Sequence, residues 1–301
     1  MKNTFIDILE PFLKSITPLQ VQPTPATSFV KKDPSIKAVI FDIYGTLIIS
    51  ASGDIMQSSY DSTMFRDALK ESGYRINVKE QELMRIHKIF ETEVNNGKEK
   101  AKKNGTPFPE LNIVEIWTNT LAKSEQEGLI TSDKDSDIRL FTFIFELKSN
   151  QVWPMPLLKD TLKKIKEKGY PMGIVSNAQF YTPIMMNYFL HGITKEDEFI
   201  DWFEKDLSVF SYKMLKGKPD TLVYKELIEP LNNYGLRPSD VLFVGNDMLK
   251  DIYAAQQVGF KTCFFAGDMR AYRLRKDHPE ASKSKPDYVV TELQQILDIL
   301  Q

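Results

Sequence analysis

The stretch that decides the fold is "KAVIFDIYGTLI", Lys37 to Ile48. The apolar run Ala38 to Phe41 drives straight into a carboxylate, Asp42, and Gly45 and Thr46 come next before the chain turns apolar again. A short uninterrupted apolar run bounded by turn residues is the mark of a strand buried on both faces. The same pattern returns downstream. "YPMGIVSNA" ends on Ser176 and Asn177, "DVLFVGND" ends on Asn246 and Asp247, and "FKTCFFAGD" is a further strand of this kind. Helical segments lie between them: "LLKDTLKKIKEKG", "DTLVYKELIEPLNNYG" and "DIYAAQQVG". Strands alternating with helices predict a doubly wound α/β core with a parallel sheet.

The stretch between Asp54 and Asn150 reads differently. "STMFRDALKESG", "VKEQELMRIHKIFETEVNNG", "IVEIWTNTLAKSEQEG" and "DIRLFTFIFELKS" have helical periodicity and Gly, Asn or Ser near their ends. The expected organisation is therefore a core of residues 37–52 and 151–301, with a helical insert at 53–150. "KNGTPFPELN" (Lys103 to Asn112) is a loop inside the insert. Residues 1–36 stand apart. Phe5, Ile8, Leu9, Phe12, Leu13 and Ile16 follow helical spacing, and Thr17 to Pro34 carries four prolines with no periodicity. This predicts a short amphipathic helix docked on the body, then an extended linker.

Composition narrows the function. The 301 residues are 42% hydrophobic and 27% charged, with 39 basic against 41 acidic residues, so no basic excess points to nucleic acid. No run approaches the length of a membrane-spanning helix. The single cysteine, Cys263, and three scattered histidines, His87, His191 and His278, exclude a cysteine-rich zinc site and make a histidine-based metal site or triad a poor expectation. Cys263 sits in an apolar strand, and the cytoplasm is the expected compartment.

In doubly wound sheets ligands bind beyond the carboxyl ends of the strands. Asp42, Ser176, Asn177, Asn246 and Asp247 all stand at such ends, Asp251 one turn later, and Lys218 in a loop ahead of Pro219. Read one at a time, each has an ordinary role: a turn residue, a helix cap or a solvated lysine. Together they describe a nucleophilic carboxylate, a charge-neutralising lysine, a hydroxyl for phosphate oxygens, and acids that a hard cation such as Mg²⁺ would reconcile.

These residues resemble the four motifs of the haloacid dehalogenase superfamily, from about Lys37 to the end of the chain. "FDIYGTL" is similar to the first, with Asp42 as nucleophile and Thr46 at the motif's threonine. "GIVSNA" resembles the second, with Ser176; Lys218 in "GKPDTLVY" the third; "FVGNDMLKD" the fourth, with Asp247 and Asp251. The resemblance implies a mobile helical cap at 53–150, and a magnesium site built from Asp42, the carbonyl of Tyr44, Asn246 or Asp247, and Asp251. It implies a phosphatase acting on a small phosphorylated metabolite, with Ser176, Asn177 and Lys218 on the phosphoryl group.

Two departures bear on this. Family phosphatases carry an acid where this chain has Tyr44, whereas the L-2-haloacid dehalogenases have tyrosine there and also match Tyr224. Those dehalogenases lack the acidic pair of the fourth motif, use no metal, and want an early cap arginine for the substrate carboxylate; Arg66 and Arg75 are the candidates. The alternatives are thus a 2-haloacid dehalogenase, or a catalytically impaired binding or regulatory member.

Overall fold

The computed structural model describes residues 5–51, 60–192 and 199–301. Six parallel strands form the central sheet: β1 (Ala38–Phe41), β6 (Met172–Ser176), β7 (Ser208–Phe210), β8 (Val241–Gly245), β9 (Lys261–Phe265) and β10 (Tyr288–Val290). Their order across the sheet is β10-β9-β8-β1-β6-β7. Every residue of β1, β6 and β8 is buried, as their unbroken apolar runs require. Two short antiparallel pairs complete the strands: β2 (Ile48–Ser50) with β5 (Val152–Pro154), and β3 (Arg75–Ile76) with β4 (Ile130–Thr131).

The helix α1 (Phe5–Lys14) buries Leu9 and Leu13, and Arg139 lies over the ring of Phe5 at 4.7 Å and that of Phe180 at 5.1 Å. Between β2 and β5 come α2 (Ser62–Glu71), α3 (Met84–Lys103), α4 (Ile113–Gln126) and α5 (Ile138–Ser149). Asp61, Asn112 and Asp137 cap α2, α4 and α5, each accepting two backbone N–H groups of the first turn. These helices close on one aromatic cluster in which Trp117 stacks on Phe90 at 4.1 Å and meets Phe65, Phe141 and Phe145. The expected boundary at residues 52 and 53 lies outside the described residues. In the core, α6 (Leu158–Glu167) and α7 (Tyr181–His191) flank β6.

Three expectations change. The second insert helix does not stop at Gly97; α3 continues to Lys103, and Leu111 packs on that glycine, where a β-carbon would come 3.1 Å from its Cδ1. "DTLVYKELIEPLNNYG" is two short helices, Leu222–Lys225 and Ile228–Asn233, rather than one. The helix after β8 begins as a π-helical turn, Met248–Tyr253, which Asp247 caps through Leu249 N and Lys250 N. Among the described residues no helix is long and apolar enough to cross a membrane.

Candidate active site

The carboxyl ends of β1, β6 and β8 open on one cavity of about 90 Å³. Its lining includes Asp42, Tyr44, Asn177, Lys218, Asn246, Asp247 and Asp251. Parallel pairing of β8, β1 and β6 sets their ends side by side, which brings together groups spread over some 200 residues of sequence.

Lys218 is the electrostatic centre. Its Nζ lies 2.8 Å from Asp42 Oδ1 and 2.6 Å from Asp251 Oδ1, and all three side chains are almost fully buried. Burial works against the ammonium, but Asp251 and Asp42 more than offset this and raise the Lys218 pKa, so it stays charged. Burial pushes the Asp251 carboxyl up to about 7; Lys218 opposes that rise, and the charges of Asp42 and Asp247 add to it. Asn177 holds the lysine's loop, its Oδ1 accepting Lys218 N–H at 2.7 Å. Gly245 lets the π-helical turn close over β8: a β-carbon there would fall 2.4 Å from the Asp251 carboxyl carbon.

Ser176, the last residue of β6, does not line the cavity; Asn177 does. The Ser176 hydroxyl is buried and has no hydrogen-bond partner among the described residues. Thr46 reaches Asn246 rather than Asp42, its Oγ1 donating to Asn246 Oδ1 at 3.0 Å, while Asn246 Nδ2 donates to the Ala271 carbonyl at 2.8 Å. Gly45, at φ +81°, passes so close to Ala271 and Asn246 that no side chain would fit. Tyr44 pairs its hydroxyl with Thr182 Oγ1 at 2.9 Å. Burial first, and then the charge of Glu146, hold that hydroxyl far above the ordinary tyrosine range, so it stays protonated.

Of the expected magnesium ligands, Asp247, Asp251 and Asn246 are already bonded to protein groups. Both oxygens of Asp247 accept from Arg275 Nε, at 3.1 and 3.0 Å, and Oδ1 also caps the next turn. Burial would raise the Asp247 carboxyl, but Arg275 and the Lys250 and Leu249 N–H groups overcome that and lower it. Asp251 spends its oxygens on Lys218 and on the Asp247 N–H. Asn246 is bonded at both ends, and no cluster of three His, Cys, Asp or Glu side chains among the described residues is arranged to hold a metal. Lys218 and Arg275 bring positive charge to these acids, Lys218 to Asp42 and Asp251 and Arg275 to Asp247.

Other expectations are also corrected. Arg66 is paired with Asp67 and Glu80, and Arg75 is exposed on β3; neither lines the cavity. Tyr224 lies behind the cavity, its hydroxyl donating to the Lys250 carbonyl. Among the described residues, the cations that do line the cavity beside Lys218 are Lys250, Arg273 and Arg275. The two arginines come from the loop after β9, in the basic run "RAYRLRK", Arg270 to Lys276. Their sequence signal is their place just past the carboxyl end of β9, the same signal that marks the polar groups at the ends of β1, β6 and β8.

The haloacid dehalogenase-like hydrolase model matches residues 36–259. The chain belongs to that family. Within it, the hydrolase is 25% identical to the glyceraldehyde 3-phosphate phosphatase of Pyrococcus furiosus over 272 residues, covering 88% of this chain and 93% of the other. It is 23% identical to the pyrophosphatase PpaX of Oceanobacillus iheyensis, covering 88% and 97%. Among solved structures, a 2-haloacid dehalogenase from Pseudomonas syringae superposes with a TM-score of 0.56 at 20% identity, covering 87% of this hydrolase and 97% of that chain. That likeness speaks to the fold.

Proposed function

We propose that the hydrolase cleaves small phosphate esters or anhydrides through a phosphorylated Asp42. The observation that carries this reading is the buried Asp42–Lys218–Asp251 triad at the mouth of the sheet. A carboxylate oxygen of Asp42 attacks phosphorus, the bond to the leaving oxygen breaks, and an aspartyl phosphate forms. Lys218 offsets the negative charge as the phosphoryl group arrives. Asn177 lines the cavity and keeps Lys218 in place, and the unpartnered Ser176 hydroxyl beside it at the end of β6 would serve a phosphoryl oxygen once its side chain turned to the cavity. Water then attacks phosphorus, frees inorganic phosphate and restores the Asp42 carboxylate. Magnesium would supply further charge stabilisation if Asp247 were released by Arg275. The curated relatives named as phosphatases support this choice of reaction.

Tyr44 is a poor acid for an alkoxide, so the favoured substrates have leaving groups that depart without much protonation, acyl phosphates among them. Helices α2 to α5 are read as the cap. Their loop joins the lysine loop, with Gly217 N donating to the Phe108 carbonyl at 2.9 Å and Glu110 N to that of Leu215 at 3.2 Å, which supports a closing role over the cavity. Soluble cytoplasmic metabolites fit such a site.

The test is phosphate release from p-nitrophenyl phosphate and acetyl phosphate, with Mg²⁺ and with EDTA. Asp42→Asn is expected to lower it by about three orders of magnitude or more. Retained turnover in that variant would overturn the assignment of the nucleophile. A second reading rests on Tyr44 and the engaged acids of the fourth motif: attack of Asp42 on a halogen-bearing carbon without metal. Halide release from 2-chloropropionate, with no phosphate release, would favour it.

A further inference from the structure

Two cations in the cavity have no task in the chemistry above. Lys218 is paired with Asp42 and Asp251, and Arg275 with Asp247. Lys250 and Arg273 also line the cavity and are half-buried. Among the described residues neither head group is hydrogen-bonded or within salt-bridge distance of a carboxylate. The charge of Lys250 reaches Glu110, but the oxygens of Glu110 are taken by Gln179, Ser211 and the Leu111 N–H.

Their mounting is rigid. Arg273 N donates to the Asn246 carbonyl at 3.2 Å, and the Arg273 carbonyl accepts Met248 N–H at 2.9 Å. Lys250 N donates to Asp247 Oδ1 at 3.1 Å, and the Lys250 carbonyl accepts the Tyr224 hydroxyl at 2.5 Å. Two flexible cations are thus set on a fixed backbone with their heads unpaired, in a partly desolvated cavity. Such heads are open to water and equally to an anion that enters the cavity.

Their position separates them from the phosphoryl site. Ser176 and Asn177 lie at the end of β6, on one side of β1 and Asp42; Lys250 comes after β8 and Arg273 after β9, on the other side. At roughly 10–15 Å³ for each water, a cavity of about 90 Å³ has room for a small metabolite.

We propose that Lys250 and Arg273 form a second anion subsite, so that the preferred substrates are small phosphate compounds bearing a second anionic group, a carboxylate or another phosphoryl. This rests on the phosphatase reading for the reaction but not for the subsite. The carboxylate that Arg66 and Arg75 were expected to hold would be held here, from the core rather than from the inserted helices.

The experiment compares phosphoglycolate with ethyl phosphate, two-carbon esters that differ by a carboxylate. For the wild type, kcat/KM is expected to favour phosphoglycolate at least tenfold, mostly through KM. In Lys250→Gln, Arg273→Gln and the double variant that preference should fall stepwise towards one, with folding checked by circular dichroism. No preference in the wild type would overturn the subsite. So would an equal loss on both esters, which would mean that the two cations hold the transferring phosphoryl group. If neither ester is hydrolysed, the phosphatase reading fails on its own, and calorimetric binding to Asp42→Asn decides the subsite. Tighter binding of phosphoglycolate than of ethyl phosphate, lost in the triple variant with Lys250→Gln and Arg273→Gln, would uphold it. Equal or absent binding of both would overturn it.

Discussion

At the scale of single residues, the site is a problem of charge. Asp42, Asp247 and Asp251 share one partly buried cavity, and like charges so placed repel unless cations lie among them. This chain answers with side chains: Lys218 between Asp42 and Asp251, and Arg275 across both oxygens of Asp247. Such fork-like binding is stronger than a single contact and holds the carboxylate in one orientation. A divalent ion must compete with that guanidinium for Asp247. Replacing Arg275 by glutamine should therefore strengthen Mg²⁺ binding by about tenfold, the order expected when a rival interaction of roughly 1.4 kcal/mol is removed. The check is thermal melting of both proteins across a Mg²⁺ titration, because an ion that binds the folded state raises the midpoint as its occupancy grows. Identical midpoint shifts would show that Arg275 does not guard Asp247.

At the scale of elements, the site depends on how closely the π-helical turn Met248–Tyr253 approaches the end of β8. Asp251 can reach Lys218 because residue 245 has no side chain. Gly245→Ala should force the Asp251 carboxyl away, with an overpacking cost of about 1–3 kcal/mol, read as a lower urea midpoint, together with a fall in kcat. An unchanged midpoint and rate would mean that the turn can move at no cost. Strands β1, β6, β8 and β9 were legible in the sequence because each is an apolar run, and a polar end on the first three pointed to the site. The three-residue β7 was not, because a run as short as "SVF" carries no period. The continuation of α3 through Gly97 was hidden for another reason: a glycine inside a helix is tolerated as well as at its end, and what occupies the space above it, Leu111, lies fourteen positions on. Asp42 and Lys218 could be named from motif and strand end alone. The tie between Arg275 and Asp247 could not, since a basic run in a loop shows no partner until β8 and β9 are set side by side.

At the scale of the whole molecule, the N-terminal segment ties distant parts together. Helix α1 packs against α5, whereas Phe29 pairs with Val289 on the outer strand β10 and thereby covers part of the sheet's edge. Between them the segment meets the loop that carries the cavity arginines, with Met269 N donating to the Gln22 carbonyl at 2.7 Å. Its far end is anchored by Asp33, whose carboxylate accepts from Lys261, from Ser35 and, at 2.7 Å, from the Tyr288 hydroxyl. Burial would raise the Asp33 pKa, but Lys261, Ser35 and Tyr288 together hold it well below the usual carboxylate value. A carboxyl with a lower pKa in the folded chain than in the unfolded chain adds stability above the unfolded value, near 3.9. That contribution disappears as pH falls towards the folded value, because the folded state must then take up a proton it resists. The gap in melting temperature between wild type and Asp33→Asn should therefore be level from pH 7 to about pH 5 and narrow below about pH 4. Melts in a single buffer series across that range measure it. A gap that stayed constant down to pH 3 would mean that the anchor works through neutral hydrogen bonds and packing rather than through the charge on Asp33.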